Sequence, residues 1–309
     1  MRREALESKL MKTTWKNMIK SYELYLFLVP VAIYYLLFHY VPMYGVQIAF
    51  KNFVAVKGIS GSPWVGLQHF ERFFNSYQFW RVISNTLLIG GYELLLFPIP
   101  IMMAILLNQL VFSRFKRLVQ TVTFAPHFIS IVVFVGIIYI FLSPRNGIVN
   151  QILSMLGFKA INFLGSADWF MSIFVWSGVW QNAGWGMIIY LAALAGINPE
   201  LHEAATVDGA TKFQRVLNVD IPGIMPTVII MLILHMGNFM NVGFEKVFLM
   251  QNSLNSSTSE VIQTYVYKTG LLGAQYSYSA AIGLFNSVVN CILLISVNQL
   301  ARRFKTSLW

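Results

Sequence analysis

Cysteine and charge are what this chain has least of. Among 309 residues there is one cysteine, Cys291. A single thiol excludes an intrachain disulfide framework and any multi-cysteine metal site, and inside an apolar stretch it reads most simply as a small buried residue. Charged residues make up only 11% of the chain, where soluble domains carry about 25%. The 12 acidic residues are scattered, most of them at the ends of apolar runs. No carboxylate pair stands out for general acid–base work, and no cluster of His, Cys and carboxylate has metal-ligand spacing. His202-Glu203 opens the metalloprotease pattern H-E-x-x-H, but Thr206 stands where the second histidine is needed. No Gly-Lys pair occurs, so the phosphate-cradling Walker A loop is missing too. These absences argue against an enzyme and against a metal or cofactor bound by this chain.

What the chain has in quantity is apolar surface. Hydrophobic residues reach 57% and the mean hydropathy is +0.62, which indicates a chain whose solvent is mostly lipid. Six apolar runs are close to the length of about 20 residues that crosses ~30 Å of hydrocarbon. They lie at Leu24–Val46, Asn85–Leu107, Leu118–Phe141, Trp169–Leu194, Ile224–Glu245 and Tyr276–Gln299. Lipid cannot satisfy exposed backbone groups, so each is predicted helical, with kinks tolerated at Pro30, Pro98 and Pro100. The expected fold is an all-α membrane protein with six transmembrane helices.

The net charge of +10 does not indicate nucleic acid, because the basic residues sit at the ends of apolar runs rather than among stacking aromatics. Most of the 22 lysines and arginines fall in the termini and in alternate loops: Arg2, Arg3, Lys9, Lys12, Lys16 and Lys20, then Arg114, Lys116 and Arg117, then Lys212 and Arg215, then Arg302, Arg303 and Lys305. Basic loops stay inside, so both termini are predicted cytoplasmic. Residues 1–21 form an N-terminal tail with Leu6, Leu10, Met11, Trp15 and Met18 at helical spacing, suited either to an interfacial helix or to a solvated basic tail. Residues 22–309 form one membrane domain. Its long first loop carries Gly58, Gly61, Pro63 and Gly66, which predict a turn and short surface helices.

The segment 196–223, between the fourth and fifth runs, is the most informative. Asn198-Pro199 is a helix start, and Glu200 and Glu203 lie in the first turns, where the helix dipole favours negative charge. Ala204-Ala205 continues a good helix and Asp208-Gly209 ends it. A second short helix is predicted from Thr211 to about Val219, before Pro222. A short helix showing small residues and a carboxylate to the cytoplasm suits docking into another protein's groove, although short amphipathic connectors are common.

Glu203-Ala204-Ala205, then Gly209, then Val219 and Ile221-Pro222 resemble the EAA motif, E-A-A-x3-G-x9-I-x-L-P, of permeases of binding-protein-dependent ABC importers. Val219 and Ile221 depart from it conservatively. Segments such as 126–130 and 180–186 are similar to the subgroup that imports oligosaccharides cut from polysaccharides, including uronate-containing and pectin-derived fragments. The resemblance implies a type I ABC importer permease fold and one half of a translocation path in a bacterial cell membrane. It implies four kinds of partner: a second permease, an ATPase dimer carrying ATP and Mg, an extracytoplasmic substrate-binding protein, and the oligosaccharide. It also implies that Glu203, Ala204, Ala205, Asp208 and Gly209 couple this chain to the ATPase, with a purely structural role for Gly209 as the rival.

Polar groups in lipid are costly and usually face the interior. Candidates for the substrate path are Asn238, Asn241 and Glu245 at i, i+3 and i+7, Asn286 and Asn290 at i and i+4, and Trp176, Trp180, Gln181, Asn182, Trp185 and Tyr190. The same residues are suited to gluing helices together or marking the membrane interface. Glu93 is the odd intramembrane charge, and His39 and His235 read as helix contacts rather than proton relays. An ion-gradient-driven secondary transporter is the alternative function, and a membrane-embedded enzyme a more distant one.

Overall fold

The computed structural model describes residues 20–303. The interfacial-helix reading of the N-terminal tail therefore lies outside the described residues. Two compact units divide the chain, residues 1–69 and 70–309.

In the first unit, helix α1 (Tyr22–Tyr35) runs on through a π turn, Leu36–Tyr40, to make a continuous helical path Tyr22–Phe50 of 29 residues. The wide turn comes just before Pro42. Proline brings no N–H and crowds the carbonyl four residues back, and a π turn relieves both. α1 buries none of its residues, and apolar side chains all round suit lipid or a partner helix. Beyond it the predicted turn and short helices are present. Phe50 stacks on Trp64 at 5.7 Å, Lys51 Nζ donates to the Ile59 carbonyl at 2.8 Å, and Gly58 takes φ +66°.

In the second unit, α2 (Gln78–Leu96) and α3 (Pro98–Asn108) form one apolar path of 31 residues, Gln78–Asn108, jointed at Phe97 before Pro98. The run predicted at Leu118–Phe141 is not one straight helix. α4 (Ser113–Phe124) and α5 (Ile131–Phe141) are bent by 103°. Pro126 sits in a 3-10 turn, Ala125–Phe128, and Ser130 caps α5 by accepting from Val133 N, so the chain ends one helix and starts another within a few residues.

α6 (Ala167–Ala195, 29 residues) carries the fourth predicted run. Its length suffices to cross a membrane, but Gln181, Asn182 and its tryptophans dilute its hydropathy. Among the described residues four helical paths are both long and apolar enough to cross, or five if the bent pair is counted, against the six expected. After α7 (Pro199–Val207), the predicted second surface helix proves to be the foot of the next span. Lys212–Arg215 leads through a π turn, Val216–Asp220, into α8 (Ile221–Gly237), and the path Lys212–Gly237 is continuous despite Pro222.

α8 ends at Gly237, so the run predicted to Glu245 is broken: residues 238–243 are not helical, Gly243 takes φ +81°, and α9 (Phe244–Met250) follows. α10 (Tyr276–Arg302) closes the order. Cys291, expected buried, lies exposed on α10.

Three apolar clusters hold this unit. Ile89, Phe134, Phe170 and Val247 centre one, Phe73, Val82, Met240 and Ile282 another, and Ala104, Leu107, Met187 and Ile224 a third. Glycines let backbones meet between them. A Cβ at Gly184 on α6 would run into the Thr123 carbonyl of α4, and one at Gly90 on α2 would lie 2.8 Å from the Phe239 carbonyl.

Candidate functional site

α7 is a nine-residue helix with both ends closed by its own side chains and backbone. Asn198 Oδ1 accepts from Glu200 N at 3.1 Å and Pro199 fills the first helical position, where an N–H would have no intrahelical partner. At the other end Ala210 N reaches the Ala205 carbonyl at 2.9 Å and Gly209 N reaches the Thr206 carbonyl at 3.1 Å. That pair of bonds is a Schellman cap, and it puts Gly209 at φ +77°. Thr211 and Gln214 then form a capping box that starts the next helix, with Thr211 N to Gln214 Oε1 at 2.8 Å and Gln214 N to Thr211 Oγ1 at 3.3 Å.

The outcome is a short helix with Glu203, Ala204, Asp208 and Gly209 exposed and Ala205 half-buried. Leu201, Val207 and Phe213 are exposed around them, Val207 by 87%. A group of large apolar side chains beside two carboxylates is a surface that gains from being covered. Among the described residues, beyond its chain neighbours, no atom lies within 4 Å of a Cβ built on Gly209. Gly209→Ala should therefore cost only the left-handed backbone conformation, about 1–2 kcal/mol. Gly209→Asn, which tolerates that conformation, should cost less. Thermal unfolding of the purified protein gives the order Gly, Asn, Ala, and an Ala variant as stable as the parent would contradict the cap.

The tryptophan-rich face of α6 is divided in its roles. Gln181 is buried and donates to the Ile129 carbonyl at 3.1 Å, satisfying backbone freed at the bend before α5. Trp185 stacks on His127 at 4.6 Å, and Asn182 Oδ1 lies 3.1 Å from His127 Nδ1. Trp176 Nε1 donates to the Tyr92 hydroxyl at 2.7 Å and Trp180 stacks on Phe134. All three tryptophans remain about half exposed. Asn182 and Tyr190 line a cavity of ≈ 330 Å³ together with Glu93, Phe97, Pro100 and His235. His235 meets the Phe97 ring at 5.8 Å, and His39 sits among the Tyr34 and Tyr35 rings.

Asn238, Asn241 and Glu245 do not share a helix face, because α8 stops before them. All three are exposed, while Asn286 and Asn290 are buried on α10. These asparagines service the break. Asn290 Oδ1 accepts from Met240 N at 2.9 Å, Asn286 Nδ2 donates to Asn241 Oδ1 at 2.9 Å, and Gln263 Nε2 reaches the Met240 carbonyl at 2.6 Å. Among the described residues, Asn286 Oδ1 is buried without a hydrogen bond.

Three features of the site are additional to the sequence reading. Lys246 is buried, donates to the Phe174 carbonyl at 2.7 Å and packs over the Phe174 ring. Asp220, wholly buried, receives Gln109 and faces His202. Asn255 ties the loop before Ile262–Tyr267 to the Leu164 carbonyl, just ahead of α6. An acid two residues before Pro222 in an otherwise apolar stretch was the available signal for Asp220.

Residues 97–306 match the family described as binding-protein-dependent transport system inner membrane component. The chain belongs to that family. It is a multi-pass inner-membrane permease subunit of an ATP-driven importer rather than the catalytic subunit. The permease is 43% identical over 282 residues to protein LplB of Bacillus subtilis (strain 168), covering 91% of this chain and 89% of that one. It is 40% identical over 289 residues to that organism's polygalacturonan/rhamnogalacturonan transport system permease protein YteP, covering 93% and 90%. Among solved structures it is similar to a bacterial alginate ABC transporter in complex with an alginate pentasaccharide-bound periplasmic protein. The TM-score is 0.88 at 39% identity, over 95% of this chain and 98% of that one.

Proposed function

We propose that this permease forms half of a translocation path for an oligosaccharide cut from a polysaccharide. It crosses the membrane six times with both termini in the cytoplasm and pairs with a second permease. α7 docks on an ATPase dimer that holds ATP and Mg, and an extracytoplasmic binding protein delivers the sugar. The observation that carries the coupling role is α7 itself, a helix capped at both ends that exposes Glu203 among Leu201, Val207 and Phe213. The relatives named for polygalacturonan/rhamnogalacturonan and for alginate support the oligosaccharide. Asn182, Tyr190 and Glu93 on the cavity wall, and the half-exposed tryptophans of α6, offer hydrogen bonds and stacking faces to a sugar.

The test is co-purification. The tagged permease is extracted from its native membranes in mild detergent, and recovered proteins are identified by mass spectrometry. A second permease and an ATPase should come with it, and the ATPase should be lost when both Glu203 and Gly209 are changed. Recovery of the chain alone would count against a shared complex and favour a self-contained transporter.

A further inference from the structure

Among the described residues, one contact of α7 with the membrane helices ends on a side chain that also bonds to a second span. His202 projects from the middle of α7 with its side chain two-thirds covered, and its Nε2 lies 3.3 Å from Asp220 Oδ1. Asp220 is 0% exposed and stands at the last position of the π turn that leads into α8. Its other oxygen, Oδ2, accepts from Gln109 Nε2 at 3.0 Å, and Gln109 is the residue that closes α3. Among the described residues no hydrogen bond of good geometry reaches Asp220 Oδ1, and the His202 ring lies 3.3 Å from it. One turn further along α7, Thr206 accepts from Arg215 at 3.0 Å and donates to the His202 carbonyl at 2.7 Å. The same face of α7 is thus held twice, and the buried carboxylate is the point where α7, α8 and α3 meet.

A buried carboxylate oxygen cannot be left unpaired without cost, so the groups around it move together or not at all. We infer that Asp220 is the junction through which a displacement of α7 reaches α3 and α8, with His202 and Gln109 as its two arms. His202 and Gln109 are positioning residues for transport, acting through Asp220 and touching neither nucleotide nor sugar. The π turn fits this role: it places Asp220 at the base of α8, so a pull on the carboxylate acts on the foot of that helix. The inference rests on the proposal that α7 docks on an ATPase.

The experiment uses the whole importer in proteoliposomes, with ATP hydrolysed and oligosaccharide accumulated measured in the same sample and ATPase retention measured separately. His202→Ala should leave the ATPase bound while the ATP spent per sugar rises about fivefold or more. Gln109→Ala, which leaves α7 untouched, should raise the same ratio. His202→Gln, whose amide can still donate to the carboxylate, should return it toward the parent value. Parent-like ratios in both alanine variants would overturn the junction, as would a His202→Gln protein that behaves like His202→Ala. Failure of the docking proposal looks different, since the ATPase would then fail to associate even with the unaltered permease.

Discussion

Glu203→Lys should abolish uptake while the permease still reaches the membrane and folds. Glu203 is exposed on a capped helix, and no hydrogen bond or ion pair holds its side chain among the described residues. Its replacement should therefore shift stability by only about 0.5 kcal/mol, as surface substitutions do. At a docked face the outcome differs. A charge-assisted hydrogen bond contributes about 1.5–3 kcal/mol, and a like charge in its place adds repulsion. Together these predict loss of uptake by a factor on the order of 100 or more. Uptake of labelled oligosaccharide by cells carrying either form, normalised to membrane-inserted protein, reads the effect. Normal uptake in the lysine variant would remove Glu203 from the coupling surface.

Asn255→Ala should unfold the second unit well before transport is assayed. Asn255 is 0% exposed and each atom of its amide is used: Nδ2 donates to the Leu164 carbonyl at 2.9 Å and the Met250 carbonyl at 3.0 Å. Oδ1 accepts from Asn252 N at 2.9 Å and from Ser259 Oγ at 2.9 Å. Nearby, Asn85 donates to the Ser257 and Glu260 carbonyls, Arg81 to the Ser256 carbonyl, and Ile262 N to Thr86 Oγ1. With Thr258 Oγ1 donating to the Ala167 carbonyl at 2.8 Å, the loop before Ile262–Tyr267 is tied to α2 and α6 at once. Alanine leaves several buried partners without a bond, at about 1–3 kcal/mol for each one left unsatisfied. The midpoint of thermal unfolding in detergent should fall by many degrees, whereas Glu203→Lys should leave it unchanged. An Asn255→Ala midpoint equal to the parent's would mean that this loop does not help hold the unit.

These two residues also mark what a linear reading can find. The ends of α7 were legible because the determinants are neighbours in sequence: Asn198 before Pro199 starts the helix and Gly209 after Asp208 ends it. The family's EAA pattern lies over the same residues. Asn255 bonds locally to Met250, Asn252 and Ser259, but its bond to the Leu164 carbonyl has no local signal, since Leu164 lies 91 residues away and meets it only on folding.

The two broken runs illustrate the same limit. Apolar residues continue through 118–141, yet Pro126 and Ser130 end one helix and begin another there, with Gln181 of α6 taking up a freed carbonyl. The spacing of Asn238, Asn241 and Glu245 suits a helix, but the backbone leaves that path where Asn290 and Gln263 can satisfy it. Asp220 went unseen because its arms lie on α7 and at the end of α3, distant in sequence. Cys291 was misplaced for the opposite reason: an apolar neighbourhood is no guide to burial in a chain whose outer face is itself apolar.

The central claim is that this permease imports an oligosaccharide at the expense of ATP hydrolysed by a partner. Its most direct test is uptake of labelled pectin- or alginate-derived oligosaccharide into proteoliposomes holding the assembled importer, with the loaded binding protein outside and ATP trapped inside. The account predicts accumulation that requires ATP and persists when ionophores collapse every ion gradient. Accumulation without ATP that disappears with a gradient would contradict it.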